Sequence, residues 1–346
     1  MKAYLMLENG RVFVGEHIGA DVDAVGTLVF NTCMTGYQEI LTDPVSAGQL
    51  VAMTYPLVGN YGVNEEDFES PKATAKGLIV RNLCERPSNF RCTGTLNDFL
   101  KAQGVAGIAG IDTRSLTREI RSAGRMNAVI TTNPDYDKQS LSGVETQANT
   151  HYGEKAHIGG NGNRVVMYDF GAPKSLVNTL SARGYDITVL PSDAKADDAK
   201  GFDGVILSCG PADPGKYTQA VETAKALLDT GVPMLGIGLG FELMALASGA
   251  KTLPLKQGHH GVNHPVLDKA TGRTYLTNQN RDYQVDINTV DANNITYVNV
   301  NDASIEGMSF TPNAFGVQFH PNATESATGT GFVFARFEEM MKGATR

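Results

Sequence analysis

The chain has 346 residues, 41% of them hydrophobic and 19% charged, and carries a formal net charge of −8. That length exceeds what one hydrophobic core usually holds, so two domains are expected, each able to build a core without disulfide or metal staples. Basic residues are scattered, which leaves no electrostatic footprint for nucleic acid. No stretch approaches the roughly 20 apolar residues of a membrane span, and residues 1–10 lack a charged-then-apolar leader pattern, so a cytoplasmic protein with no membrane partner is expected.

In chain order, residues 3–7 and 11–15 read as a hairpin around the turn-forming pair Asn9-Gly10. Up to about residue 132 the pattern is one of short strands and turns, with a single clear helix: Asp112 or Thr113 can cap it, Leu116 and Ile120 fall four apart, and Gly124 follows as a C-terminal stop. The stretch 134–163 is polar, ends in Gly159-Gly160-Asn161-Gly162-Asn163 and has little apolar material to bury. It reads as a linker, which divides the chain into domains 1–150 and 151–346. Beyond Arg164 strand alternates with helix, with apolar strands at 165–168, 187–190, 204–207 and 234–237. Such alternation implies parallel strands joined by crossover helices, whose sites form beyond the carboxyl ends of the strands. Cys33, Cys84, Cys92 and Cys209 show no paired CxxC spacing, so reduced, mostly buried thiols are expected and no zinc site.

The run from Pro233 to Gly249 passes from an apolar strand through Gly236-Ile237-Gly238-Leu239-Gly240 into a helix. A strand, a sharp turn with small neighbours and a helix make a nucleophile elbow, in which the central side chain stands exposed at the helix N-terminus. The central residue is Gly238. The elbow resembles the GxCxGxQ segment of class I glutamine amidotransferases, and Ala245-Leu246-Ala247-Ser248-Gly249-Ala250-Lys251-Thr252 is similar to the small subunit of carbamoyl phosphate synthetase. So are Leu207-Ser208-Cys209-Gly210-Pro211-Ala212-Asp213-Pro214, Gly258-His259-His260-Gly261, Val317-Gln318-Phe319-His320-Pro321, Met34-Thr35-Gly36-Tyr37-Gln38-Glu39 and Gly107-Ile108-Ala109-Gly110-Ile111-Asp112. The resemblance covers nearly the whole chain. It implies an α/β fold in which an N-terminal mixed α/β small-subunit domain precedes a class I amidotransferase-like domain, the latter with a mostly parallel sheet flanked by helices.

The resemblance also implies a Cys-His-Glu triad, which falls here on Gly238, His320 and Asn322. Only the histidine is present. Amide hydrolysis needs a nucleophile, a base and a group that orients the base. An Asn can orient a histidine, but glycine supplies no nucleophile, and removing one typically costs about 10⁶ in turnover. The pocket departs from the family too. Glu242 stands for glutamine and Phe241 for histidine; Arg281-Asp282-Tyr283 replaces His-Gly-Phe, Ala212 the second glycine of a GPG loop, and Val45 a substrate-contacting serine. With Gly210 and Leu239 these positions form a pocket remnant.

Glu242, Arg281 and Asp282 form either an internal ion-pair network or a pocket for a new ligand. Cys209 is a candidate relocated nucleophile that lacks an elbow, set against an inert loop thiol. His259, His260 and His264 are a metal-cluster candidate, set against a structural segment. The expectation is a small subunit that no longer hydrolyses glutamine. By resemblance it docks through its N-terminal half on a large subunit, which uses ATP, bicarbonate and ammonia to make carbamoyl phosphate for arginine or pyrimidine synthesis. The chain itself takes no cofactor and no metal. The alternative is a stand-alone small-molecule-binding or sensory protein built on the altered pocket.

Overall fold

The computed structural model describes residues 1–144, 155–322 and 329–344. The chain divides into two compact units, Met1–Gln147 with Lys256–Gly261, and Ala148–Leu255 with Val262–Arg346. The boundary expected at residue 150 lies outside the described residues.

The first unit is a closed barrel. Its strands are β1 (Lys2–Leu7), β2 (Val12–Gly19), β3 (Ala24–Asn31), β4 (Gln49–Met53), β6 (Gly77–Ile79), β8 (Ala106–Ala109) and β9 (Met126–Thr131), in the order β1-β2-β8-β6-β4-β3-β9. The two-residue strands β5 (Leu57–Val58) and β7 (Asn82–Leu83) pair with each other outside it. β1 and β2 form the expected hairpin, with Gly10 at φ 89° in its turn. Pairing of β3, β4, β6 and β8 is parallel and the rest antiparallel, so the barrel is mixed. Helix α3 (Thr113–Ala123) is the one read from the sequence: Asp112 accepts a hydrogen bond from the Ser115 amide, Gly124 ends the helix at φ 92°, and Leu116 and Ile120 join the barrel core. Two short helices, α1 (Tyr37–Thr42) and α2 (Leu96–Ala102), were not anticipated, although Thr95 caps α2 by accepting from the Asp98 amide.

The expectation of a linker with little to bury needs correction. Leu141 is fully buried against Met6 and Val129, and β10 (Ala156–Ile158) pairs antiparallel with β12 (Asp186–Pro191) as the outer strand of a sheet. A single leucine and a three-residue strand are too small a signal to rise above the surrounding polar composition.

In the second unit a ten-stranded sheet runs β10-β12-β11-β13-β14-β19-β18-β17-β15-β16. Its central strands β12, β11 (Arg164–Asp169), β13 (Gly204–Leu207), β14 (Met234–Ile237) and β19 (Ala314–Val317) are all parallel. The long β15 (Thr252–Asp268) and β16 (Thr274–Val285), with β17 (Ile295–Asn299) and β18 (Ile305–Thr311), make up the other edge, where β15, β17, β18 and β19 pair antiparallel in turn. Side chains alternate across a strand, so β13 shows how both faces are covered. Val205 and Leu207 pack with α5 (Thr218–Thr230) and α6 (Leu239–Ala247), while a Cβ on Gly204 would stand 2.6 Å from Phe337 of α7 (Phe332–Ala344). Helix α4 (Lys174–Ala182) follows β11 and buries Leu176, Val177 and Leu180. This is the mostly parallel, helix-flanked α/β architecture anticipated from the strand-helix alternation. Among the described residues no helix is long and apolar enough to cross a membrane.

Candidate functional site

Three neighbouring parallel strands end side by side, and each is followed at its carboxyl end by a segment of interest: Ser208-Cys209-Gly210 after β13, Gly238 after β14 and Gln318-Phe319-His320 after β19. This is where open α/β sheets place their sites. Gly238 has φ 55° and ψ −113°, a conformation that L side chains rarely adopt, and its amide donates to the Val317 carbonyl at 2.9 Å. The elbow backbone is thus built in full, strained turn included, around a residue with no side chain. Its neighbours must be small. A Cβ on Gly240 would lie 2.1 Å from the Leu207 carbonyl oxygen, and one on Gly210 would lie 2.4 Å from that of Phe170. Leu239 opens α6 and is buried.

Where a side chain at position 238 would begin, its Cβ would meet the Cys209 Cβ at 3.2 Å and the Gln318 carbonyl oxygen at 3.8 Å. Cys209 is buried, its Sγ 3.9 Å from the Gly171 carbonyl oxygen, so its thiol is packed against backbone. None of the four cysteines is joined in a disulfide; Cys33 and Cys209 are buried, whereas Cys84 and Cys92 are half-buried, short of the mostly buried set expected.

His320 donates its amide to the Asn278 carbonyl at 2.9 Å, which anchors the residue on β16. Asn322 is engaged elsewhere: its side-chain oxygen accepts from the Thr330 amide at 3.0 Å and the Thr330 hydroxyl at 3.1 Å. Ala212 sits at φ 79°, so the backbone keeps a glycine conformation where the residue is alanine. Val45 belongs to the first unit, where it is buried in the 3₁₀ turn Pro44–Ser46.

Arg281 pairs with a carboxylate that the sequence reading did not include. Arg281, 7% exposed, closes on fully buried Glu306: Nη2 lies 2.9 Å from Glu306 Oε1 and 3.0 Å from Ser304 Oγ. Its Nε donates to Gln279 Oε1 at 3.0 Å and its Nη1 to the Tyr283 carbonyl at 2.8 Å, while Asn299 adds a bond to Glu306 Oε1 at 3.0 Å. A buried pair supported in this way is a structural network. Glu242, in the first turn of α6 and 4% exposed, makes no ion pair among the described residues. Burial pushes its pKa up to about 8; attraction to Arg281 and the adjacent Gln318 amide lower it, and Asp213 and Asp282 raise it. Gln318 is 2% exposed, and its side-chain amide faces the Glu242 carboxyl as a hydrogen-bond donor.

Sequence reasoning assigned no role to Gln318 or Glu306. The signal was there for Gln318, a polar residue inside the apolar run Phe315-Gly316-Val317-Gln318-Phe319. Glu306 follows Ile305 on β18, remote in sequence from Arg281, and only the sheet brings them together. His259 and His260 are both buried, and no cluster of three or more His, Cys, Asp or Glu side chains placed to hold a metal ion occurs among the described residues.

Comparison with known proteins bears on the same two segments. The family described as Carbamoyl-phosphate synthase small chain, CPSase domain, matches residues 5–130, and Glutamine amidotransferase class-I matches residues 166–340. The chain is 42% identical to the carbamoyl phosphate synthase pyrimidine-specific small chain of Bacillus subtilis, over 99% of this chain and 96% of that one. It is 43% identical to the carbamoyl phosphate synthase small chain of Clostridium acetobutylicum, over 97% and 99%. The small chain of Listeria monocytogenes matches at 42%, over 99% and 97%.

Proposed function

The chain belongs to the carbamoyl-phosphate synthase small chain family, with its class I glutamine amidotransferase domain, and from that premise we propose that it is a pseudo-amidotransferase. It partners a large subunit and supports carbamoyl phosphate formation from free ammonia, without hydrolysing glutamine. One observation carries the reading: the residue at the strained strand-to-helix turn is Gly238, so no atom is available there to form a thioester. Cys209 does not substitute for it, because its thiol is buried against the Gly171 carbonyl and it does not occupy the turn. Asn322, at the position of the orienting carboxylate, gives its side-chain oxygen to Thr330. His320 remains as the base of the triad, and Gly238 gives it no thiol at the turn.

Docking on a large subunit follows from the names of the relatives, which are small chains of a synthase. ATP and bicarbonate then bind the partner. The test is co-purification with a large subunit and glutamate release from glutamine by the pair. A stable complex that releases no glutamate above the buffer rate supports the reading. Glutamine turnover, or failure to associate, overturns it.

A further inference from the structure

We propose that Cys84 and Cys92 are a reversible oxidation site, at which a peroxide joins the two thiols in a disulfide that closes the loop between them at its base. The site is independent of the pseudo-amidotransferase reading, since both residues belong to the first unit.

The first observation is where the backbone puts the two residues. β5 and β7 pair side by side, and the Cys84 amide extends the pairing by donating to the Val58 carbonyl at 2.8 Å. Beyond β5 the chain turns through Gly59-Asn60-Tyr61-Gly62, closed by the Gly62 amide donating to the Gly59 carbonyl at 3.1 Å. After the turn Val63 bridges Gly94, and Cys92 stands over Gly62, where a Cβ would lie 2.3 Å from the Cys92 Sγ. Neighbouring strands lie about 4.8 Å apart, and a turn closed in this way brings its ends within about 7 Å. Cys84 and Cys92 thus flank opposite ends of one short turn, although a loop separates them in sequence. The second observation is a shared neighbour. The Tyr37 hydroxyl donates to the Gly62 carbonyl at 2.6 Å. Burial raises its pKa most, and the charges of Tyr61, Cys84 and Cys92 raise it further, so both sulfurs lie in the field of one hydroxyl.

Access selects the pair. Cys84 and Cys92 are half-buried, whereas Cys33 and Cys209 are buried, and oxidation follows exposure. Cys92 is also loosely held: its Sγ donates to the Gly94 carbonyl at 3.4 Å, a weak bond that costs little to give up. Peroxide converts one thiol to a sulfenic acid and releases a water. The other thiol attacks that sulfur, the S–S bond forms, and the sulfenic oxygen departs as a second water. Two thiol hydrogens and two electrons leave the pair, and the peroxide O–O bond is broken. The new bond acts on the loop it closes. Phe90 is 95% exposed, and Arg91 donates through Nη2 to Asp67 at 2.6 Å and to Glu66 at 2.9 Å. Both residues line a cavity of about 310 Å³ with Tyr61 and Glu39. Arg91 precedes Cys92, so drawing Cys92 towards Cys84 moves this wall.

The test treats the full chain with hydrogen peroxide in the native state and maps its peptides before and after reduction with dithiothreitol. A Cys84–Cys92 link is expected, with Cys33 and Cys209 still reduced, and the reductant is expected to remove it. The chain has no tryptophan, so Phe90→Trp places a single fluorescent reporter on the loop. Its anisotropy is expected to rise on oxidation and to fall back on reduction. Cys84→Ser and Cys92→Ser, each added to the reporter chain, are expected to abolish both the link and the rise. Thiols that pass to sulfinic acid without linking, or links formed only between chains, overturn the proposal. So does a link that leaves the anisotropy unchanged, or a rise that persists in a folded Cys84→Ser. Glutamine hydrolysis, assayed in parallel, would overturn the pseudo-amidotransferase reading alone and leave the peptide map to stand or fall on its own.

Discussion

Putting a thiol back at the elbow should be costly and self-limiting. In Gly238→Cys the new side chain is forced into φ 55°, ψ −113°, a conformation that typically costs a non-glycine residue about 1–3 kcal/mol. Loss of glycine's freedom in the unfolded chain returns about 0.4–1 kcal/mol of this. The new Cβ also meets the Cys209 Cβ at 3.2 Å, closer than ordinary contact, so one of the two must shift. A net destabilisation of about 1–2 kcal/mol is expected, or roughly 2–8 °C in Tm for a unit of this size. The same proximity lies just below the roughly 3.5–4.5 Å between the Cβ atoms of a disulfide. Mild oxidation should therefore join the introduced thiol to Cys209. With Cys84→Ser and Cys92→Ser removing two of the native four thiols, titration of the unfolded protein would then count one more than the remaining two when reduced, and one fewer than two after oxidation. Adding Cys209→Gly should recover part of the lost Tm, since the nearest atom then is the Cα of residue 209 at 3.6 Å. An unchanged Tm in the single variant, with an introduced thiol that never links to Cys209, would refute the claim that Cys209 bounds the space above Gly238.

Three further outcomes are expected. Arg281→Met should destabilise by about 3–5 kcal/mol in urea unfolding, because it strands the buried Glu306 carboxylate, whereas Arg281→Met with Glu306→Leu should recover much of the loss. Glu242 has a folded pKa near 8 against 4.5 unfolded, so its contribution to stability is fully present below about pH 4.5 and is lost as pH rises towards 8; relative to Glu242→Gln, wild-type stability should fall by on the order of 3–5 kcal/mol between pH 4.5 and 8.5, and parallel pH profiles would contradict this. Ala212→Gly should stabilise by about 0.5–1 kcal/mol, since φ 79° penalises a Cβ, and a destabilised variant would show that the loop needs the methyl group.

The sequence was most legible where local chemistry and global fold agree. Alternating apolar strands announced the parallel sheet, and the Asp112 cap with the Gly124 stop announced α3, because each signal lies within a few residues. The elbow was readable for the same reason: Gly236, Gly238 and Gly240 are spaced as a tight strand-to-helix turn demands. What the sequence could not show is pairing at a distance. Arg281 looked like a partner for Glu242 and Asp282, yet β16 and β18 present it to Glu306, and no local pattern encodes that choice. The 134–163 stretch failed differently, since Leu141 and the three residues of β10 carry too little hydrophobic signal to stand out from the polar residues around them.

The central claim concerns where the nitrogen comes from. With a large subunit, ATP and bicarbonate present, glutamine labelled with ¹⁵N in its amide should deliver no label into carbamoyl phosphate, while labelled ammonium should deliver it in full. Stoichiometric label from glutamine, or a covalent adduct formed on this chain by a glutamine analogue, would show that a nucleophile operates here without a side chain at position 238.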